Sequence, residues 1–160
     1  MNQFGRIPSI KLLEEEASLA LNSFDLNHAL EIGELAKDFG IQRRLPIAIE
    51  VRIGDWVIYH ASLPGSVPQN QTWLDRKARV VLLKHHSTLY ERLDAEERRV
   101  DWYQENKLTE ELYAIHGGGI PIFTNNNGLV GILLISGLPQ LDDHNFGIEV
   151  LSQFVNRRVK

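Results

Sequence analysis

Cysteine is absent from this chain of 160 residues, and methionine occurs once. That absence excludes disulfides, thiolate metal sites and cysteine nucleophiles, and it suits a reducing compartment. Cationic charge is not in excess: 17 Lys and Arg face 21 Asp and Glu, for a formal net charge of -4. The balance leaves no basic patch of the size that non-specific nucleic-acid binding requires. Long apolar runs are missing too. The longest, around Val130 to Ile135, is strand-sized and well short of a membrane span. Near the start, Glu14-Glu15-Glu16 stand where a secretory signal needs an apolar core. The expectation is a cytoplasmic protein, a single domain over residues 1–160, with neither nucleic acid nor membrane as partner.

What is present centres on the stretch from His116 to His144. Three glycines (Gly117, Gly118, Gly119) lead into Ile120-Pro121-Ile122-Phe123, and after Asn127-Gly128 an apolar run extends from Leu129 to Ile135. Asn127-Gly128 predicts a hairpin with a type I′ turn, which needs positive φ at both central residues. The returning run expects cover on both faces, as a central strand does. A second hairpin is predicted from Leu45-Ile53 and Trp56-Leu63 across Gly54-Asp55, read as a type II′ turn. Ile47, Ile49, Val51 and Ile53 share one face, with Ala48, Glu50 and Arg52 on the other. In that register Trp56, Ile58 and His60 join the apolar face.

Helical spacing predicts a short amphipathic helix over residues 9–20, and a second from an Asp25 cap to Gly40 with Leu26, Ala29, Leu30, Gly33 and Ala36 on one face. Gly33 on that stripe points to close backbone approach against a sheet. Thr72 with Asp75 marks a third helix start, with Leu74, Ala78, Val81, Leu82, His85 and Leu89 in line and a break near His86-Ser87. Leu93 to Lys107 reads as charged and exposed. Asp142 or Asp143 caps a last helix through Phe146, Val150, Leu151, Phe154 and Val155. Helices with antiparallel hairpins make an α+β domain, and the sheet is expected to have about five strands, near the common size.

Several residues carry candidate chemistry. A nest of amides at Gly117, Gly118 and Gly119 can hold a carboxylate or phosphate, with His116 beside it as donor or ligand. The plainer alternative is that the glycines allow a sharp turn into a central strand. Arg76 and Lys77 can face an anionic group, or belong to a solvated helix face. His60 reaches the inner face near the end of its strand. The six histidines show no i, i+4 pair, so no zinc motif is assigned, and His85 reads as a core histidine. Ser136 has no histidine and carboxylate at nucleophile-elbow spacing, so no catalytic set is assigned.

The segments Trp73-Leu74-Asp75-Arg76-Lys77, His116-Gly117-Gly118-Gly119-Ile120-Pro121-Ile122, and Gly131 through Ser136-Gly137-Leu138-Pro139-Gln140 with Asp143-His144 occur in that order. As an ordered set they resemble the haem-degrading-domain family of HbpS-like and GlcG-like proteins, over nearly the whole chain. The resemblance implies a profilin-like antiparallel sheet with helices packed on it and a tendency to homo-oligomerise. In some members it implies haem binding or degradation. Together these readings give a small-molecule pocket protein, with haem or another anionic ligand held by His60, Arg76, Lys77, His116 and the three glycines. The alternative is a non-enzymatic homo-oligomer that binds another protein. Assembly from dimers is expected on a separate ground: the two strands of the second hairpin ask for more cover than the apparent helix stripes supply.

Overall fold

A computed structural model describes residues 7–159. Both expected hairpins form. Strands β1 (Ala48–Ile53) and β2 (Trp56–Ser62) make the first, and β3 (Gly119–Thr124) and β4 (Gly128–Ser136) the second. β1 pairs antiparallel with β4, so the order is β2-β1-β4-β3 in a sheet of four strands rather than about five. The outgoing strand of the first hairpin thus lies beside the returning strand of the second, and β2 and β3 form the two edges.

Alternation along β1 divides the structure into layers. Ile47, Ile49 and Val51 lie in a cluster with Leu133 and Ile135. They pack on Ala29, Ile32 and Ala36 of α2 (Leu26–Gln42) and on Phe146, Val150 and Phe154 of α6 (Gln140–Val159). Ala48, Ile132 and Leu134 face the other way, onto Leu74, Ala78 and Val81 of α3 (Gln69–Lys84). The two central strands are thus covered on both faces within one chain. Exposed apolar side chains lie elsewhere, on helices and loops and on β2, where Trp56 is 60% exposed.

Several helical expectations shift by a turn or a face. α2 runs past Gly40, which is buried against Leu63, and its inner stripe uses Ile32 and Leu35 while Leu26 and Leu30 are exposed. Gly33 meets the ring of Tyr59 so closely that any Cβ there would overlap it. α3 begins at Gln69, before Thr72, and ends at an exposed His85 in the left-handed region (φ 59). The break at His86-Ser87 is present, with Ser87 capping α4 (Thr88–Glu97). The charged stretch after it is not all exposed. Leu89 and Leu93 pack with Leu12 of α1 (Ser9–Ser18), and Trp102 of α5 (Trp102–Asn106) is buried with Val80, Ala95 and Ile115.

One hairpin departs from expectation in its turn and the other beyond its turn. In the second hairpin Thr124 pairs with Gly128, and Gly128 alone takes positive φ (68), so the turn is not type I′. In the first, Gly54 has φ 60 and Trp56 lies opposite Ile53 as expected. A bulge then intervenes: Arg52 pairs with Val57 but Val51 pairs with Tyr59, leaving Ile58 without an opposite residue. Because side chains alternate with period two, the extra residue reverses the faces beyond it. Tyr59 reaches the α2 side and His60 comes opposite Glu50, on the α3 side.

Candidate functional site

The glycine loop is built for close approach at its three successive positions. A Cβ at Gly117 would overlap the Gln140 carbonyl at the start of α6, one at Gly118 the Ile135 carbonyl, and one at Gly119 would press on Thr88 and Val81. Gly118 also has φ 126, outside the range an L side chain adopts easily. The loop is therefore packed by its own chain. Its amides are largely used: Gly117 N–H donates to Gln140 Oε1 (3.2 Å) and Gly119 N–H to Thr88 Oγ1 (3.0 Å). An open nest for an anion is not what this backbone presents.

The close approach instead lets Lys77 pass from α3 to the far end of β4. Its side chain is 2% exposed, and Nζ donates to the Ile135 carbonyl at 2.8 Å and to Asp143 Oδ2 at 3.2 Å. Asp143 Oδ1 accepts from the Leu138 amide at 2.9 Å. An ammonium has three N–H donors, and Lys77 uses two of them inside the protein. Burial pushes the Asp143 carboxyl up to about 6, against the opposing pull of Lys77, and burial also lowers Lys77 from the ordinary lysine range.

Beside this pair lies a cavity of about 280 Å³ whose walls include Asn70, Trp73, Lys77, His116, Ser136 and Asp143. His116 stands edge-on to Trp73 with ring centroids 4.6 Å apart, and the Arg76 guanidinium lies over Trp73 at 4.3 Å. His116 Nδ1 is enclosed without a hydrogen-bond partner. Burial first, then the charges of Arg92, Lys77 and Arg76, lower its pKa to about 4, so the ring is neutral near pH 7. Asn70 Nδ2 donates to Ser136 Oγ at 3.1 Å, a buried polar contact on the opposite wall.

The structure brings together Lys77 and His116 on this cavity, with Arg76 behind Trp73 and the glycines as the packing that admits Lys77. It does not bring His60 there. Because of the bulge, His60 lies between Glu50 and Ser62 on the outer hairpin, away from the cavity walls. Three of the other histidines have local partners: His28 completes the cap of α2, His86 meets Glu16 at 2.9 Å, and buried His144 meets Glu15 at 2.8 Å. Among the described residues no three His, Asp or Glu side chains gather to hold a metal ion. Sequence reasoning missed Asp143 as a cavity residue by treating it as a helix cap, and it missed Asn70 and Ser136. The signal available was Lys77 itself, a cation three residues from Leu74 and four from Val81 on a stripe that proves buried.

Comparison with known proteins places this geometry in a lineage. A family model described as haem degrading protein HbpS-like matches residues 24–152. A UPF0303 protein from Streptomyces avermitilis is 35% identical over 158 residues, covering 98% of this chain and 97% of that protein. Among solved structures, that of Ybr137w protein superposes with a TM-score of 0.87 at 23% identity, covering 97% of this chain and 91% of the other. A PduOC:heme complex gives a TM-score of 0.68 at 15% identity, covering 81% and 94%. At these identities the two structures attest the fold.

Proposed function

This chain belongs to the HbpS-like haem-degrading family, and from that premise we propose that it binds a small anionic ligand in the cavity between α3, the end of β4 and the start of α6. The observation that carries the reading is the third N–H of Lys77: a buried ammonium on the cavity wall with two protein acceptors and room for one more. A carboxylate oxygen is a fitting acceptor, because a charge-assisted hydrogen bond is stronger than a neutral one. Neutral His116, Asn70 and Ser136 supply further polar contacts, and Trp73 an aromatic wall.

Haem enters through the relatives, one of which was solved as a heme complex. The donor set suits a propionate. The cavity, at about 280 Å³, falls just below the roughly 300–1,000 Å³ of drug-sized ligand sites, so it takes a porphyrin's carboxylate edge and not the macrocycle. Titration with haemin tests this reading. A stoichiometric Soret shift, weakened in both His116→Ala and Lys77→Met, supports haem held by this edge. With no Soret shift, calorimetric titration with small mono- and dicarboxylates follows, and heat lost in Lys77→Met supports the smaller ligand. Absence of both overturns the pocket.

A second reading, a homo-oligomer acting by protein interaction, is favoured by β2. This edge strand, Trp56-Val57-Ile58-Tyr59-His60-Ala61-Ser62, contains neither charge nor proline, whereas natural edges are usually blunted by one or the other. Light scattering coupled to size exclusion decides it: a single mass near that of one chain at micromolar concentration removes the oligomer.

A further inference from the structure

Away from that cavity, the outer hairpin carries an arrangement with its own chemistry. Glu50 is buried, with its side chain 3% exposed, and its Oε2 lies 2.9 Å from His60 Nδ1. On the other side of the ring, His60 Nε2 lies 2.9 Å from Ser62 Oγ. Glu50 is fixed by further donors: Arg52 Nε reaches Oε1 at 2.7 Å and Gln71 Nε2 reaches Oε2 at 2.9 Å. Arg52 is held in turn by Asp75. We propose that Ser62, His60 and Glu50 form a serine nucleophile, general base and positioning carboxylate that transfer acyl groups from small esters to water.

Bonding roles follow from what each group can do. A carboxylate paired with arginine only accepts, so the His60 proton resides on Nδ1 and Nε2 is left to accept from the Ser62 hydroxyl. The order carboxylate, Nδ1, Nε2, hydroxyl is the one that nucleophilic serine catalysis requires, and it is recognised by geometry rather than by sequence order. His60 and Ser62 project to the same face because they are two apart on a strand, and Glu50 is the cross-strand neighbour of His60.

Space and an oxyanion donor are also present. A cavity of about 250 Å³ is lined by Ser62, Ser66, Val67, Pro68 and Gln71. Ser66 is committed elsewhere, donating to the Leu63 carbonyl at 2.7 Å, so Ser62 is the hydroxyl directed by a base. Leu63 N–H donates inward to the Ile47 carbonyl at 2.9 Å. Successive amides of an antiparallel strand point to opposite sides, so the Ser62 N–H points to the unpaired edge, beside its own hydroxyl.

In the reaction, Ser62 Oγ adds to the ester carbonyl as its proton passes to His60 Nε2. The tetrahedral oxyanion takes the Ser62 amide, and the carbon–oxygen bond to the leaving alcohol breaks as Nε2 returns the proton to it. Water then attacks acyl-Ser62, giving its proton to Nε2 and from there to the departing Ser62 oxygen. One ester and one water give one acid and one alcohol. With a single protein amide at the oxyanion and an open site, the substrates are short, activated acyl esters.

The probe is p-nitrophenyl acetate with the intact chain. The expected result is release of p-nitrophenol above the buffer rate with a transient acetyl adduct on the Ser62 peptide by mass spectrometry. Ser62→Ala removes both, and His60→Asn lowers the rate by about 10²-fold or more. Both residues lie at the surface, and circular dichroism verifies folding. The cysteine-free background allows a second readout in Ser62→Cys, whose lone thiol is alkylated with iodoacetamide across pH. A profile displaced below the ordinary thiol value of about 8.5, and restored to it in Ser62→Cys/His60→Asn, supports the pair. An unchanged rate in Ser62→Ala, an adduct on another residue, or identical thiol profiles with and without His60 overturns the proposal.

Discussion

α3 stands between two polar clusters that treat buried charge in opposite ways. Toward the end of β4 it sends Lys77 into an enclosed site, where one cation meets one carboxylate and one carbonyl. Toward the outer hairpin it sends Gln71 and Asp75 to a network in which Glu50 has three donors, Arg52, His60 and Gln71. The enclosed pair has few partners and a donor to spare. The open network has redundant partners and a histidine that leads to solvent. Scarcity leaves room for a ligand to complete the site, whereas redundancy fixes a side chain in one pose.

The difference is broken most directly at Lys77. Lys77→Met leaves Asp143 buried without its cation and is expected to cost about 3–5 kcal/mol in urea denaturation, with most of it recovered when Asp143→Leu is added. Gly118→Val comes next. Positive φ and overlap with the Ile135 carbonyl give an expected loss of about 3 kcal/mol. If the glycines serve packing within the chain, light scattering shows the subunit unfolding with its assembly state unchanged up to the transition. In the open network Arg52→Met is expected to cost less, about 2 kcal/mol by the same denaturation, because His60 and Gln71 still donate to Glu50 Oε2 and only Oε1 loses its donor.

A further effect is on pH dependence. His116 has its folded pKa lowered from 6.5 to about 4, so the unfolded chain binds its proton first on acidification. Its contribution to stability is complete above about 6.5 and is lost as pH falls toward about 4. Asp143, raised from 3.8 to about 6, acts oppositely, destabilising as pH rises through that window. His116→Gln is therefore expected to stabilise the protein at pH 4.5 relative to wild type while matching it at pH 7.5, as read from thermal midpoints at both pH values.

Much of the sheet was legible in the sequence because a strand whose two faces meet different surroundings writes them into a period of two. Ile47, Ile49 and Val51 alternate against Ala48, Glu50 and Arg52, and the structure keeps that division. Gly33 was legible for a similar reason: a glycine on an apolar helical stripe signals something close, here Tyr59. His60 was not. A one-residue bulge at Ile58 leaves no compositional mark, yet it decides which face His60 occupies. The pairing of Lys77 with Asp143 was obscured, because Lys77 reads toward an outside anion or a solvated face and Asp143 reads as a helix cap. Only the fold, by bringing α3 beside the start of α6, turns them into a pair. The buried Leu93 and Trp102 were hidden among charges that point outward from the same short helices.

The bulge has a further consequence for the register this hairpin must keep. Were β2 to flatten it without losing a residue, the strand would be misread as a message is in a slipped frame, with the letters kept but their reading exchanged. Tyr59 would leave the groove over Gly33 for the side facing α3, and His60 would be delivered to the groove in its place. Deleting Ile58 itself is the milder lesion, because Tyr59 stays opposite Val51 and His60 opposite Glu50. The packed contact on one layer and the hydrogen-bonded relay on the other therefore depend on the register beyond the bulge, and not on the length of the hairpin.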